Sequence, residues 1–316
     1  MTSAGRQRIA LLVAVVLLCA APYVAYPIFL MKVMCFALFA CAFNLLLGYA
    51  GLLSFGHAMF FGVAGYASAH AAKVWGLTPE LSIGFGVLVA AALGAVVGRL
   101  AIRLAGIYFA MITLAFAQMI YFYCLQTPFT GGENGIQAVP RGKLLGLISL
   151  ADNYSLYYFV LAVTLGGIAV TYRAVHSPFG EVLAAIRENE PRAVSLGYHT
   201  DHHKLIAFVL SAALSGLAGG TKAIVFQLAS LTDVQWPTSG EVVLMTLVGG
   251  IGTITGPLVG ATLVVMSEDL LASLGGWISV IQGFFFVLCV LLFRRGIVGS
   301  LAHWWPRRSS PPSSSS

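Results

Sequence analysis

The chain has 316 residues, 59% of them hydrophobic and 9% charged, with a formal net charge of +6. A soluble domain carries about 25% charged residues, so this composition excludes a water-covered globule and points to the bilayer as solvent. The positive balance does not indicate nucleic acid, because the basic residues sit at the ends of apolar runs, as the positive-inside rule expects of a membrane protein.

A membrane span needs about 20 mostly apolar residues, and apolar segments run at 9–26, 28–47, 54–72, 81–102, 106–125, 154–172, 204–228, 241–271 and 277–293. Arg6 and Arg8 before the first run resemble the start of a signal peptide. A cut after Ala21 would put Pro22 at the new terminus, so a retained first helix is expected. The five cysteines (Cys19, Cys35, Cys41, Cys124, Cys289) lie in or beside apolar segments without a CxxC pair. They read as reduced, small hydrophobic residues, with neither disulfides nor a metal site.

Across the end of the second segment and the start of the third lie Asn44, Gly48, Gly51, Ser54, Gly56 and His57. Glycines let a helix break or let neighbours approach closely, and polar groups at membrane depth face the bundle interior. These residues either line a pathway or tie helices together; His57 has no evident partner for a proton relay or a metal. The outward loop 126–153 contains a Gly-rich stretch at 131–135, which reads as a turn because no strand precedes it and no lysine lies within it.

Loop 173–203 is the longest charged stretch and is assigned to the inside. Residues 181–190 look like a short amphipathic helix. Val182, Ala185, Ile186 and, beyond Pro191, Ala193 form its apolar stripe; Glu181, Arg187, Glu188 and Glu190 form its polar side. Such a helix either docks in a groove of a partner protein or is a solvated linker. His199, Asp201, His202 and His203 read as a linker and not as a metal cluster. Lys222 lies about 9 Å inside the end of its segment, where it either snorkels outward or touches a substrate carboxylate.

Segment 241–271 carries Gly249, Gly250, Gly252, Gly256 and Pro257 at its midpoint, and neither half is long enough to span. A discontinuous or re-entrant hairpin is predicted, which membranes tolerate only where protein or a cavity covers the backbone. Broken helices can present free backbone groups to a substrate or serve packing alone. With the N-terminus inside and the hairpin returning outward, Arg6, Arg8, Arg99, Arg103, Arg173, Arg187, Arg192, Lys204, Arg294, Arg295, Arg307 and Arg308 fall inside, against Lys32, Lys73, Arg141, Lys143 and Lys222 outside. A plain crossing would send Arg294 and Arg295 outward, against that bias. The expected fold is an all-α polytopic membrane protein of about eight to ten transmembrane helices. Residues 1–308 form a single transmembrane domain and 309–316 a disordered Ser-rich tail.

Three stretches carry a family resemblance. The first is Gly180, Leu183, Ala185, Ile186, Arg187, Glu188, Asn189, Glu190, Ala193, Leu196 and Gly197; the second is the run 43–58; the third is Gly249, Gly250, Ile251, Gly252, Thr253, Gly256, Pro257, Gly260 and Ala261. Together they resemble branched-chain amino acid ABC permeases of the LivM type, over roughly residues 28–293. The resemblance implies that the first stretch, with Glu181, couples to an ATPase. It also implies half of a translocation path in the inner membrane, both termini cytoplasmic. Its partners would be a second, LivH-like permease subunit, two cytoplasmic ATPases and a periplasmic binding protein. No cofactor is expected on this chain; ATP and Mg would sit on the partners, and the sequence itself holds no G-x-x-x-x-G-K-[ST] phosphate loop. Leucine, isoleucine or valine is the implied cargo, with urea, short amides or small carboxylates as alternatives. A stand-alone secondary transporter or channel would need mid-span carboxylates, but Glu241, Glu268 and Asp269 lie near segment ends. A membrane enzyme would need a paired acid and base or a nucleophile, and none is evident.

Overall fold

The computed structural model describes residues 18–23, 25–144, 146, 148–271, 280, 281, 283, 284, 287, 296 and 297. The expected segments at 9–26 and 277–293 therefore lie largely outside the described residues, as do the tail at 309–316 and Arg6, Arg8, Arg294, Arg295, Arg307 and Arg308.

Among the described residues, five long apolar helices have the length and hydropathy to cross a membrane. Helix α1, Pro27–Asn44, starts with proline in its first turn, where the missing N–H costs nothing. It continues through a π-helical turn, Leu45–Tyr49. A non-helical stretch at 50–56 leads to helix α2, His57–Lys73. Helices α3, Pro79–Ala101, and α4, Ile107–Gln126, follow. A compact loop carries the two-residue strands β1, Ile136–Gln137, β2, Lys143–Leu144, and β3, Ile148–Ser149. The Gly-rich stretch at 131–135 folds there into short 3-10 turns.

Helix α5, Asn153–Val175, is capped by Asp152, whose carboxylate accepts from Ser155 N–H at 3.4 Å. Two short helices, α6, Pro178–Glu188, and α7, Glu190–Ser195, lead into the long α8, Thr200–Phe226. Strand β4, Leu228–Ala229, pairs antiparallel with β1, and β2 pairs with β3. The last described helices are α9, Trp236–Gly249, and α10, Gly256–Leu271.

Helices α1 and α8 are the core: 78% and 72% of their apolar windows are buried, against 28% for α4. Buried α1 residues Phe36, Phe39 and Phe43 pack with Val242, Met245 and Val248 of α9 and Ala261 and Val264 of α10. Phe60, Ala64, Ala90, Phe208 and Ala212 join α2, α3 and α8. Small residues set the spacing. At Gly260 an added Cβ would collide with the Met245 carbonyl, so only glycine allows α9 and α10 to lie this close.

The molecule has two ends. One carries α6 and α7, the C-terminal end of α1 and the 250–255 turn; the other carries Lys32, Lys73, Lys222 and the small strands. Helices α9 and α10 form an antiparallel hairpin of 14 and 16 residues, about 21 and 24 Å long. Its tip touches Asn44 while Glu268 near its base meets Lys32, so both its ends lie at the second end. The hairpin read from the sequence is thus present. Gly296 sits against Gly249 and Gly250, so the chain has returned to the α6–α7 end by that residue.

Candidate functional site

Helix α1 ends with unsatisfied carbonyls, as every helix does. Three groups gather at that end. The Asn44 side chain donates to Thr253 O at 2.8 Å and accepts from Gly252 N–H at 2.9 Å. An amide side chain has both a donor and an acceptor, so one asparagine fastens the hairpin tip to α1. The Arg187 guanidinium, reaching over from α6, donates to Gly48 O. A cation at a helix C-terminus also meets the negative end of the helix dipole. Gly48 has no room for a side chain, because a Cβ there would strike Asn44 Oδ1 and lie 2.7 Å from Gly252 N. Gly51, at φ +72°, lets the chain turn beneath the Arg187 stem, whose Cγ would be 3.0 Å from an added Cβ.

The α6–α7 unit is tied to the bundle at a second point. Lys204, buried in the first turns of α8, forms an ion pair with Glu190 at the start of α7. Asn189 separates the two helices and caps α7 by accepting from Arg192 N–H at 3.0 Å. Gly180, Leu183, Ile186 and Ala193 are buried, with the Gly180 position pressed on the Val175 carbonyl.

The stripe read from the sequence is corrected here. Ala185 is exposed and Val182 half-buried, while Gly180 and Leu183 point inward. Starting the helix at Pro178 fixes its phase, and burial then recurs every third residue on one face. Arg187 is exposed, as its place on the polar side requires, and its guanidinium also reaches the carbonyl of Gly48. Glu181, Glu188, Asn189, Leu196 and Gly197 stay exposed, Leu196 at 69%. With Val194 at 54% and Tyr198 at 44% exposed, they form a part-apolar, part-charged face that is open among the described residues.

The residues assigned from sequence to a pathway separate into four places. Asn44, Gly48, Gly51 and Gly252 belong to the joint with Arg187. Gly249, Gly250, Gly256 and Pro257 form the remainder of the hairpin turn, where Gly250 takes φ +121°. Ser54 and His57 lie inside the bundle. His57 Nε2 is 2.8 Å from Ser211 Oγ, which donates to Ala42 O at 2.5 Å, and Phe43, Phe60 and Phe208 present edges to the imidazole. His57 is fully buried, and this geometry ties α1, α2 and α8 together. Lys222 stands at the opposite end, in an ion pair with Asp233.

Sequence reading missed Thr253, Ser211, Asp233 and the pairing of Lys204 with Glu190. Separations of 209 residues for Asn44 and Thr253 and 154 for His57 and Ser211 leave no local signal. Among the described residues no group of three or more His, Cys, Asp or Glu could hold a metal ion. Near the joint an apolar cleft of about 370 Å³ is lined by Gly51, Leu52, Leu53, Phe55, Gly106, Ile107, Phe109 and Ala110.

A bundle of apolar helices, a hairpin packed against α1 and a small helical unit linked to both are the architecture of a multi-pass membrane protein. The family described as branched-chain amino acid transport system / permease component matches residues 26–293, and the chain belongs to it. It is a permease component of a binding-protein-dependent ABC transport system. The high-affinity branched-chain amino acid transport system permease protein LivM of Salmonella typhimurium is 28% identical over 288 residues, covering 84% of this chain and 68% of that protein. The Escherichia coli LivM aligns with the same identity and coverage. The ribose import permease protein RbsC of Bacillus subtilis is 31% identical over 196 residues, covering 57% of this chain and 56% of its own. No solved structure matches.

Proposed function

We propose that this chain is one of two permease subunits of an ATP-driven importer that carries branched-chain amino acids across the bacterial inner membrane. The observation that carries the reading is the joint: Arg187 and Glu190 link α6 and α7 to the end of α1, the hairpin tip and the start of α8. A push on the exposed face of α6 and α7 reaches three membrane elements through side chains already in contact. A cytoplasmic ATPase docked on that face would drive the helices between outward-open and inward-open states.

The remaining partners follow from that reading. They are a second permease chain of LivH type, two ATPase subunits and a periplasmic protein that selects the substrate and delivers it at the far end. Both termini would be cytoplasmic. Among the described residues Arg99, Arg103, Arg173, Arg187, Arg192 and Lys204 belong with the α6–α7 end, which supports placing that end inside. The substrate assignment rests on the two LivM relatives; the ribose permease among the relatives makes a sugar or another small neutral solute the outcome to test against.

The test is purification from native membranes followed by reconstitution with the co-purifying subunits. An ATPase that accompanies wild type and is lost from the Glu188→Lys variant supports docking on α6 and α7. ATP-dependent leucine uptake, with binding protein added, supports the substrate. A well-folded chain that brings no ATPase refutes the reading.

A further inference from the structure

At the end remote from the joint, five ionisable side chains converge from α1, α8, α9, α10 and the loop after β4. Lys222 is paired with Asp233, their side chains 18% and 13% exposed. Lys32 is paired with Glu268 at 3.4 Å. Glu241, in α9, interacts electrostatically with all four, yet has no hydrogen-bond or ion-pair partner among the described residues. Among these five described side chains, two lysines face three carboxylates.

The wall beside them is aromatic. Lys222 Nζ lies 5.5 Å from the centre of the Phe36 ring and 5.6 Å from that of Phe61, both buried. Desolvating charges is costly, and two apolar residues would hold these elements at least as well as a largely buried ion pair. A structural role alone therefore explains neither the pair nor the carboxylate beside it. Asp233 stands on a short loop, in the 3-10 turn Leu231–Asp233, and not within a membrane helix. It can separate from Lys222 without breaking a helix.

We propose that Glu241 and the pair of Lys222 and Asp233 form a relay site for the charged end of an α-amino acid. Glu241 and Asp233 hold its ammonium, Lys222 its carboxylate, and Phe36 and Phe61 lie against its side chain. The zwitterion replaces the internal pair with two new ones and, having no net charge, leaves the charge balance of the site unchanged as it enters. This inference rests on the amino-acid reading above.

The experiment is ATP-driven uptake of radiolabelled leucine by the full complex in proteoliposomes, with loaded binding protein in excess. A charge-assisted hydrogen bond removed from a desolvated site lowers the rate about tenfold to a hundredfold. Glu241→Gln is expected to lose that much uptake while still co-purifying with its ATPase, and Glu241→Asp to recover most of it. If Glu241→Gln does not assemble, the double variant Lys222→Gln with Asp233→Asn decides by the same loss. Uptake within about twofold of wild type in either assembled variant overturns the relay site and leaves the amino-acid importer standing. A wild-type complex that hydrolyses ATP but moves no amino acid overturns both.

Discussion

Replacing Arg187 with alanine separates an internal tie from a docking contact. Its guanidinium donates to Gly48 O at the C-terminal end of α1 and lies beside Gly252 of the hairpin tip. A hydrogen bond from a charged donor is worth about 1.5–3 kcal/mol, and the helix dipole adds about 0.3–1 kcal/mol. The two sum to about 2–4 kcal/mol; because Arg187 is exposed, solvent screening holds the net cost to about 1–2 kcal/mol, which would lower the melting temperature by about 2–3 °C. Arg187→Ala should retain its ATPase but lose ATP-driven uptake, because α6 no longer moves the hairpin tip. Glu188→Lys should do the reverse, keeping the melting temperature and losing the ATPase, since its side chain is exposed. Asn44→Ala, which removes two hydrogen bonds to the same tip, should couple to Arg187→Ala by about 0.5–3 kcal/mol in a double-mutant cycle. Thermal unfolding in detergent and pull-down of the ATPase read both effects. An Arg187→Ala protein with unchanged melting temperature and no bound ATPase would refute the transmission argument and return Arg187 to the docking face.

Three further outcomes are expected. Lys204→Met leaves Glu190 without its cation; because that carboxylate is 39% exposed, solvent limits the cost to about 1 kcal/mol. Adding Glu190→Gln should restore the melting temperature; failure to restore it would show that the lysine matters for something other than this pair. Gly260→Val should prevent the hairpin from closing on the Met245 carbonyl and abolish assembly, whereas Gly166→Ala, where a Cβ meets open space, should be silent in the same size-exclusion assay. His57→Ala empties a site walled by Phe43, Phe60 and Phe208 and should cost about 3 kcal/mol of stability, with uptake per folded molecule and its pH profile unchanged. A shifted pH profile would instead mark His57 as a proton-handling group.

Helices and their order were legible because a span must satisfy its backbone internally and cover itself with apolar side chains. The segments read at 28–47 and 154–172 became Pro27–Tyr49 and Asn153–Val175. The hairpin was legible for a similar reason: glycines and a proline at the middle of 241–271, with Arg294 and Arg295 beyond, do not suit one plain crossing. The helix phase around Ala185 was not, because it depends on where Pro178 starts the turn. Nor were the partners of Asn44, His57 and Lys222, which were polar residues of two possible readings until the packing placed groups beside them.

The sequence by itself determined a polytopic membrane protein with an interrupted segment at 241–271 and a long charged loop, because hydropathy acts along the chain, and its resemblance to a permease family pointed to transport. Only the tertiary structure decided that the loop and the hairpin meet. Arg187 and Gly48 are 139 residues apart, and what brings them together is the close packing of α1 against the hairpin, a consequence of shape and of missing side chains at glycine that no local pattern encodes.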